Sequence, residues 1–147
     1  MSQTLEFYKS AGNQEFTKLI TSTAPYFSTI DPMFVELKPG YAEIFVPNTK
    51  KVHNHLGTVH AIAMCNAAEL VAGMMTEVSI PETHRWIPVG MTVKYLAKAK
   101  TDLKAIAKGN DIDWESTGEK IVSVDLFNKE EKKVFSAKIT MTVGLKQ

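Results

Sequence analysis

The stretch from Asn54 to Glu77, NHLGTVHAIAMCNAAELVAGMMTE, constrains this chain more than any other. It opens with polar and flexible residues and becomes the longest apolar run in the sequence. Between Val59 and Met75 there is no Lys, Arg, Asp or Pro, and the only acid is Glu69. A helix that is apolar on nearly every side belongs inside a fold rather than on its surface. A lone carboxylate in such a helix is costly to bury unless it is paired, neutralised or used. The run therefore predicts a buried helix over residues 58–77, with Thr58 as its N-cap and Glu69 as a functional group.

The rest of the chain must supply what buries that helix. Residues 3–22 carry a partial helical stripe of Leu5, Tyr8, Phe16, Leu19 and Ile20, interrupted near Gly12-Asn13. Residues 23–30 hold a second short helix with Pro25 in its first turn, and Asp31-Pro32 signals a turn. Alternating residues predict strands over 33–38 and 41–46, joined by Pro39-Gly40. Residues 49–56 are polar and irregular, and 79–88 read as a loop punctuated by Pro81 and Pro88. Four further strands are expected over 89–100, 102–108, 120–128 and 133–144. Short connections make the sheet antiparallel. One curved antiparallel sheet wrapped around the long helix is the economical α+β solution. Its edge strands and the uncovered part of the helix point to dimerisation.

With 147 residues the chain can build one substantial core. Its net charge of +1 argues against nucleic acid or a membrane surface as partner. The lysines between Lys94 and Lys108 fall at strand spacing and read as a solvated sheet face. The single Cys65 excludes an intramolecular disulfide and a CxxC zinc site. Residues 1–10 lack a basic start followed by an apolar core, and the central run is short and too polar for a lipid span, so a cytoplasmic location is expected. His53-x-His55 has no further ligand pair at metal spacing, so no metal is expected. No GxSxG, P-loop or dinucleotide glycine pattern is present.

The spacing Asn54-x-x-Gly57-x-x-His60, followed nine residues later by Glu69, resembles the hotdog-fold acyl-CoA thioesterases, above all their PaaI-like branch. That family typically shows Asn-x-x-Gly-x-x-His-Gly-Gly with an Asp or Glu nine residues after the His. Residues 91–108, with the aromatic Tyr95, also look like the family's strand pair after the helix. The likeness spans roughly residues 33–145 of a single hotdog domain, 1–147, to which 1–31 add a helical extension. Two departures stand out: Ala61 and Ile62 replace the two glycines, and Lys98 stands where a Pro often follows the aromatic strand.

The resemblance implies hydrolysis of an acyl-CoA, aryl-CoA or acyl-carrier thioester, at a site between the subunits of a homodimer or a dimer of dimers. Coenzyme A would enter as part of the substrate, with no separate cofactor. Glu69 would act as base or nucleophile; a carboxylate in apolar surroundings is a stronger base near neutral pH than a solvated one. The amides of Ala61 and Ile62, in the first turn of the helix, would hold the oxyanion whatever their side chains. Asn54 either orients the water, binds the carbonyl, or satisfies its own loop. His60 either holds that loop or contacts the substrate. Gly57 and Asn66 are further candidate substrate contacts. Asn66, Gly73, Thr76 and Glu77 form a weak polar stripe expected to face the site or a partner subunit. Met33, Phe34, Met64, Met74, Met75 and Trp86 are available for an acyl pocket, and Lys98 and Lys100 for the CoA phosphates. Two alternatives remain. One is a non-catalytic acyl-binding protein, motivated by the missing glycines. The other is a hotdog β-hydroxyacyl dehydratase, whose His–Glu spacing of fourteen is matched by His55 and Glu69, although Leu56-Gly57-Thr58 follows where that family has Phe-Pro-Gly.

Overall fold

The computed structural model describes residues 2–147. Helix α1, Gln3–Thr23, starts on Ser2, whose Oγ accepts the Leu5 N–H at 3.0 Å. It kinks at Gly12, within the interruption visible in the sequence. Its inner side buries Leu5 and Phe16, and Phe16 meets Phe34 edge-on at 5.0 Å. A 3-10 helix, Pro25–Ile30, follows, with Pro at the position where a missing N–H costs no bond.

Six strands form one antiparallel sheet: β1 Met33–Lys38, β2 Tyr41–Val46, β3 His84–Tyr95, β4 Leu103–Lys108, β5 Gly118–Phe127 and β6 Lys133–Leu145. Their spatial order is β1-β2-β4-β5-β6-β3. The long helix α2, Ala61–Ser79, contacts all six. Its Ala67, Ala68, Leu70, Val71, Ala72 and Met75 are almost completely buried, as are Ala42, Ala105, Ala107, Val124, Leu126 and Met141 on the strands. Small residues on both sides let helix and sheet approach closely, and the larger ones fill what remains. Burying one such side chain, Leu70, contributes roughly 1.5–3 kcal/mol. This is the α+β hotdog architecture with an added N-terminal helix. By length and mean hydropathy (19 residues, 1.2) α2 also passes as a membrane-spanning helix. Its burial against six strands accounts for that apolarity.

The expected bounds move most at two elements, α2 and β3. The N-cap is His60, not Thr58, because the chain is still extended there and pairs Val59 N–H with Ala99 O at 2.8 Å. The strand expected from residue 89 begins at His84 and ends at Tyr95. It runs through Pro88 because β3 is the last strand in the sheet, where a residue without N–H is tolerated, and a bulge between Pro88 and Gly90 absorbs the irregularity. Ile87, Val89, Met91 and Tyr95 of this edge strand are exposed. At the other edge, α1 lies on β1, and Asn13 Nδ2 donates to Val35 O at 3.2 Å.

Candidate functional site

The motif loop is closed by its own hydrogen bonds. Asn54 Oδ1 accepts the N–H of Leu56 (2.9 Å) and of Thr58 (3.1 Å), and Asn54 Nδ2 donates to Thr58 Oγ1 (2.9 Å). Both ends of the Asn54 amide are thus engaged inside the loop. Gly57 has φ 77 with open space where a Cβ would stand, so the turn needs glycine for its backbone and not for room. His60 then caps α2: its Nδ1 accepts the Ile62 N–H at 3.0 Å. That bond fixes the proton of a neutral His60 ring on Nε2. It also engages one of the two amides expected to bind an oxyanion. The Ala61 N–H has no protein acceptor among the described residues. The Ile62 side chain is itself exposed.

Glu69 lies further along α2 and is exposed on the single chain. This corrects the expectation of a buried acid: the sheet covers the other faces of α2 and leaves this one open. Glu69 has no hydrogen-bond or ion-pair partner among the described residues. It borders two hollows of about 180 Å³ each. Phe27, Leu70, Gly73, Met74, Trp86 and Pro88 line the first; Tyr26, Phe27, Ile62, Cys65, Asn66 and Met91 line the second. Both are walled by the 3-10 helix on one side and β3 on the other.

The polar stripe is turned inward rather than toward solvent. Asn66 is buried; its Nδ2 donates to Thr29 Oγ1 (3.2 Å) and, more weakly, to Tyr26 O (3.4 Å), while its Oδ1 has no donor. Thr76 Oγ1 donates to Ala72 O at 2.8 Å. Glu77 accepts from Trp86 Nε1 at 2.9 Å and from Thr4 Oγ1 at 3.1 Å. Gly73 is fully covered by Trp86: a Cβ there would stand 2.8 Å from the ring. Burial pushes the Cys65 thiol pKa up, partly opposed by the Tyr95 hydroxyl, so Cys65 stays a protonated packing residue.

Of the apolar candidates, Trp86 and Met74 line a hollow beside Glu69, whereas Phe34, Met64 and Met75 belong to the core. Met33 lies at α1, within 3.7 Å of Thr17 Oγ1. Tyr26 and Phe27 were not anticipated. Their only local signal is two aromatics after Pro25, in a segment that looked like an appendage. A groove of about 260 Å³ runs from Asn54 and Ala61 past Tyr95 to Lys98. His55 is exposed, and the His53 ring nitrogen Nε2 lies 2.7 Å from Asn48 Oδ1. Among the described residues no three His, Cys, Asp or Glu side chains gather as a metal site. A polar cleft of about 280 Å³ around Ser2, Glu77, Glu82, His84 and Lys146 lies at the far end of α2 and holds none of the motif residues.

Residues 12–143 match the family described as a domain of unknown function, DUF4442. The chain belongs to the DUF4442 family. The match takes in most of α1 and the whole 3-10 helix, so the segment that walls the Glu69 hollows is part of the family's domain. No curated protein matches the chain. A structural-genomics crystal structure is 53% identical, with a TM-score of 0.90 over 98% of this chain and 97% of that one. A thioesterase of Haemophilus influenzae superposes with a TM-score of 0.73 at 14% identity, covering 82% of each chain. A Streptococcus mutans protein solved with acetyl-CoA bound gives 0.67 at 19% identity, over 78% of this chain and 89% of that one. At these lower identities the likeness is one of fold alone, and it agrees with the hotdog arrangement of six strands against α2.

Proposed function

We propose that this DUF4442 protein hydrolyses acyl- or aryl-CoA, or acyl-carrier, thioesters, as a PaaI-like member of the hotdog superfamily. The observation that carries the reading is Glu69: a carboxylate without a partner, on the open face of an otherwise buried helix, between two apolar hollows. Glu69 takes a proton from water, and the resulting hydroxide attacks the thioester carbon. The carbonyl oxygen becomes an oxyanion, held by the Ala61 N–H at the positive end of α2. The oxyanion collapses, the C–S bond breaks, and the leaving thiolate takes the proton back from Glu69.

The two groups cannot come from one chain. Eight residues separate Ala61 from Glu69, about 12 Å of helix rise. Ile62, Cys65 and Asn66 lie between them. One reacting carbonyl, with contacts of about 3 Å to base and donor, does not span that gap. A homodimer, alone or paired into a tetramer, supplies Ala61 from one subunit and Glu69 from the other. The unpaired apolar edge of β3 is where such a partner would add. The partner would also cover Glu69 and keep bulk water out of the site. The groove from Ala61 to Lys98 suits the arm of CoA, with Lys98 at its end to meet the phosphates.

The test is thiol release from a panel of acyl- and aryl-CoA esters by the wild type and Glu69→Gln. Turnover should fall by roughly 10²–10⁴-fold; equal rates for the two proteins would remove Glu69 from the mechanism. A non-catalytic acyl-binding protein is the second reading, favoured by the Ile62 N–H already bound to His60. It requires acyl-CoA binding that survives Glu69→Gln, with no thiol released by either protein.

A further inference from the structure

The stripe Asn66, Glu69, Gly73 and Glu77 recurs at steps of three and four residues, so its members share one face of α2. Three of the four have structural work. Asn66 ties down the 3-10 helix that carries Phe27. Glu77 fixes the Trp86 indole, and Gly73 makes room for its ring. Only Glu69 is left without a partner, between the two aromatic walls that the others hold. The hollow between these walls is also lined by Leu70, Met74 and Pro88 and measures about 180 Å³. A cavity of about 150 Å³ lined by apolar side chains binds benzene. Apart from Glu69 the lining residues offer no polar side chain that could recognise a substituted tail, since the indole N–H is engaged by Glu77.

Resting on the thioesterase reading, we propose that this hollow is the acyl subsite and that Phe27 and Trp86 determine its specificity. It takes an unsubstituted aryl ring or a short unbranched acyl chain and excludes long chains. The wall that sets this limit is contributed by the N-terminal extension, through Phe27. Asn66 and Glu77 are positioning residues: they act on the substrate only by holding those walls.

The experiment measures kcat/KM for acetyl-, hexanoyl-, benzoyl-, decanoyl- and palmitoyl-CoA with the wild type, Phe27→Ala and Met74→Phe. It also measures Kd for the matching non-hydrolysable thioether analogues. One methylene that fits or misfits an apolar pocket changes kcat/KM by roughly 10–200-fold. The wild type should prefer hexanoyl and benzoyl over decanoyl and palmitoyl by at least about tenfold. Phe27→Ala should erase that preference by admitting decanoyl. Met74→Phe should lower benzoyl by about tenfold while sparing acetyl. Circular dichroism checks folding, and Met74→Phe carries the test if Phe27→Ala unfolds. Thiol release with an unchanged chain-length profile in both variants overturns the subsite but leaves the thioesterase reading intact. If the wild type releases no thiol from any ester, the thioesterase reading fails. The analogues then decide the subsite: a shifted affinity profile in the variants supports it, and an unshifted one overturns it.

Discussion

Gly73 gives the sharpest test of how the Glu69 hollow is built. Replacing an interior helical Gly by Ala ordinarily stabilises by about 0.8–1.0 kcal/mol. Here the added Cβ would lie 2.8 Å from Trp86 Cη2, inside the 3.4 Å where ordinary contact begins. The ring must retreat by about 0.6 Å, and overpacking of this kind costs about 1–3 kcal/mol. Retreat also strains the 2.9 Å bond from Trp86 Nε1 to Glu77. The clash cancels or outweighs the propensity, and Gly73→Ala should destabilise by up to about 2 kcal/mol, lowering Tm by up to about 8 °C. With Trp86→Leu as background the obstacle is gone, and the same change should stabilise by about 1 kcal/mol. The double-mutant cycle, read by urea or thermal unfolding, should give a coupling of about 1–3 kcal/mol. Equal stabilisation by Gly73→Ala in both backgrounds would show that the ring does not rest on the helix, and the walled subsite would lose its floor.

Other outcomes follow from the same geometry. His60→Ala removes the acceptor for the Ile62 N–H and should cost about 1 kcal/mol of stability, with His60→Asn restoring most of it in denaturant unfolding. Val89→Lys places a charge on the exposed edge of β3; light scattering should show monomers, and thiol release should disappear with the dimer, whereas an active monomer would refute a site shared between chains. Burial, and next the hydrogen bond to Glu43, push the Tyr41 phenol from 10.0 up to about 12. Because the folded value is raised, the stability it contributes is complete below pH 10.0 and is lost as pH rises through about 12. An alkaline absorbance titration should find Tyr41 ionising last, beyond the smaller rises at Tyr8 and Tyr95, and Glu43→Gln should bring it down.

The elements whose burial is set by local alternation were legible in the sequence. β1 and β2 fall at 33–38 and 41–46 as expected, because Pro39-Gly40 marks the turn and Ala42, Ile44 and Val46 alternate inward. α2 was legible from its composition, since a helix that touches every strand has few sides left for charge. β3 was misplaced because Pro81 and Pro88 read as loop signals, and at a sheet edge a proline breaks nothing. The cap at His60 was hidden for a different reason: His is not a favoured capping residue, and only the backbone angle at this loop brings Nδ1 to the Ile62 N–H. Phe27 was invisible because its role is tertiary, and no period in its own segment records that Asn66, far along the chain, holds it in place.

Glu69 shows where sequence reasoning and structure part most usefully. The sequence marks it as an acid that burial would penalise, yet the fold leaves its face of α2 open. Both statements hold if burial arrives with a second chain. The sheet covers as much of α2 as six strands can reach, and what remains is a stripe whose polar members are satisfied internally, apart from Glu69 and the Oδ1 of Asn66. A helix face left open only for solvent would tolerate charge anywhere along it. This one places apolar side chains, Ile62, Met74 and Met91 of β3, around a single carboxylate. That distribution is costly in water and sensible at an interface, where the same residues become the walls of a site and the carboxylate its only reactive group.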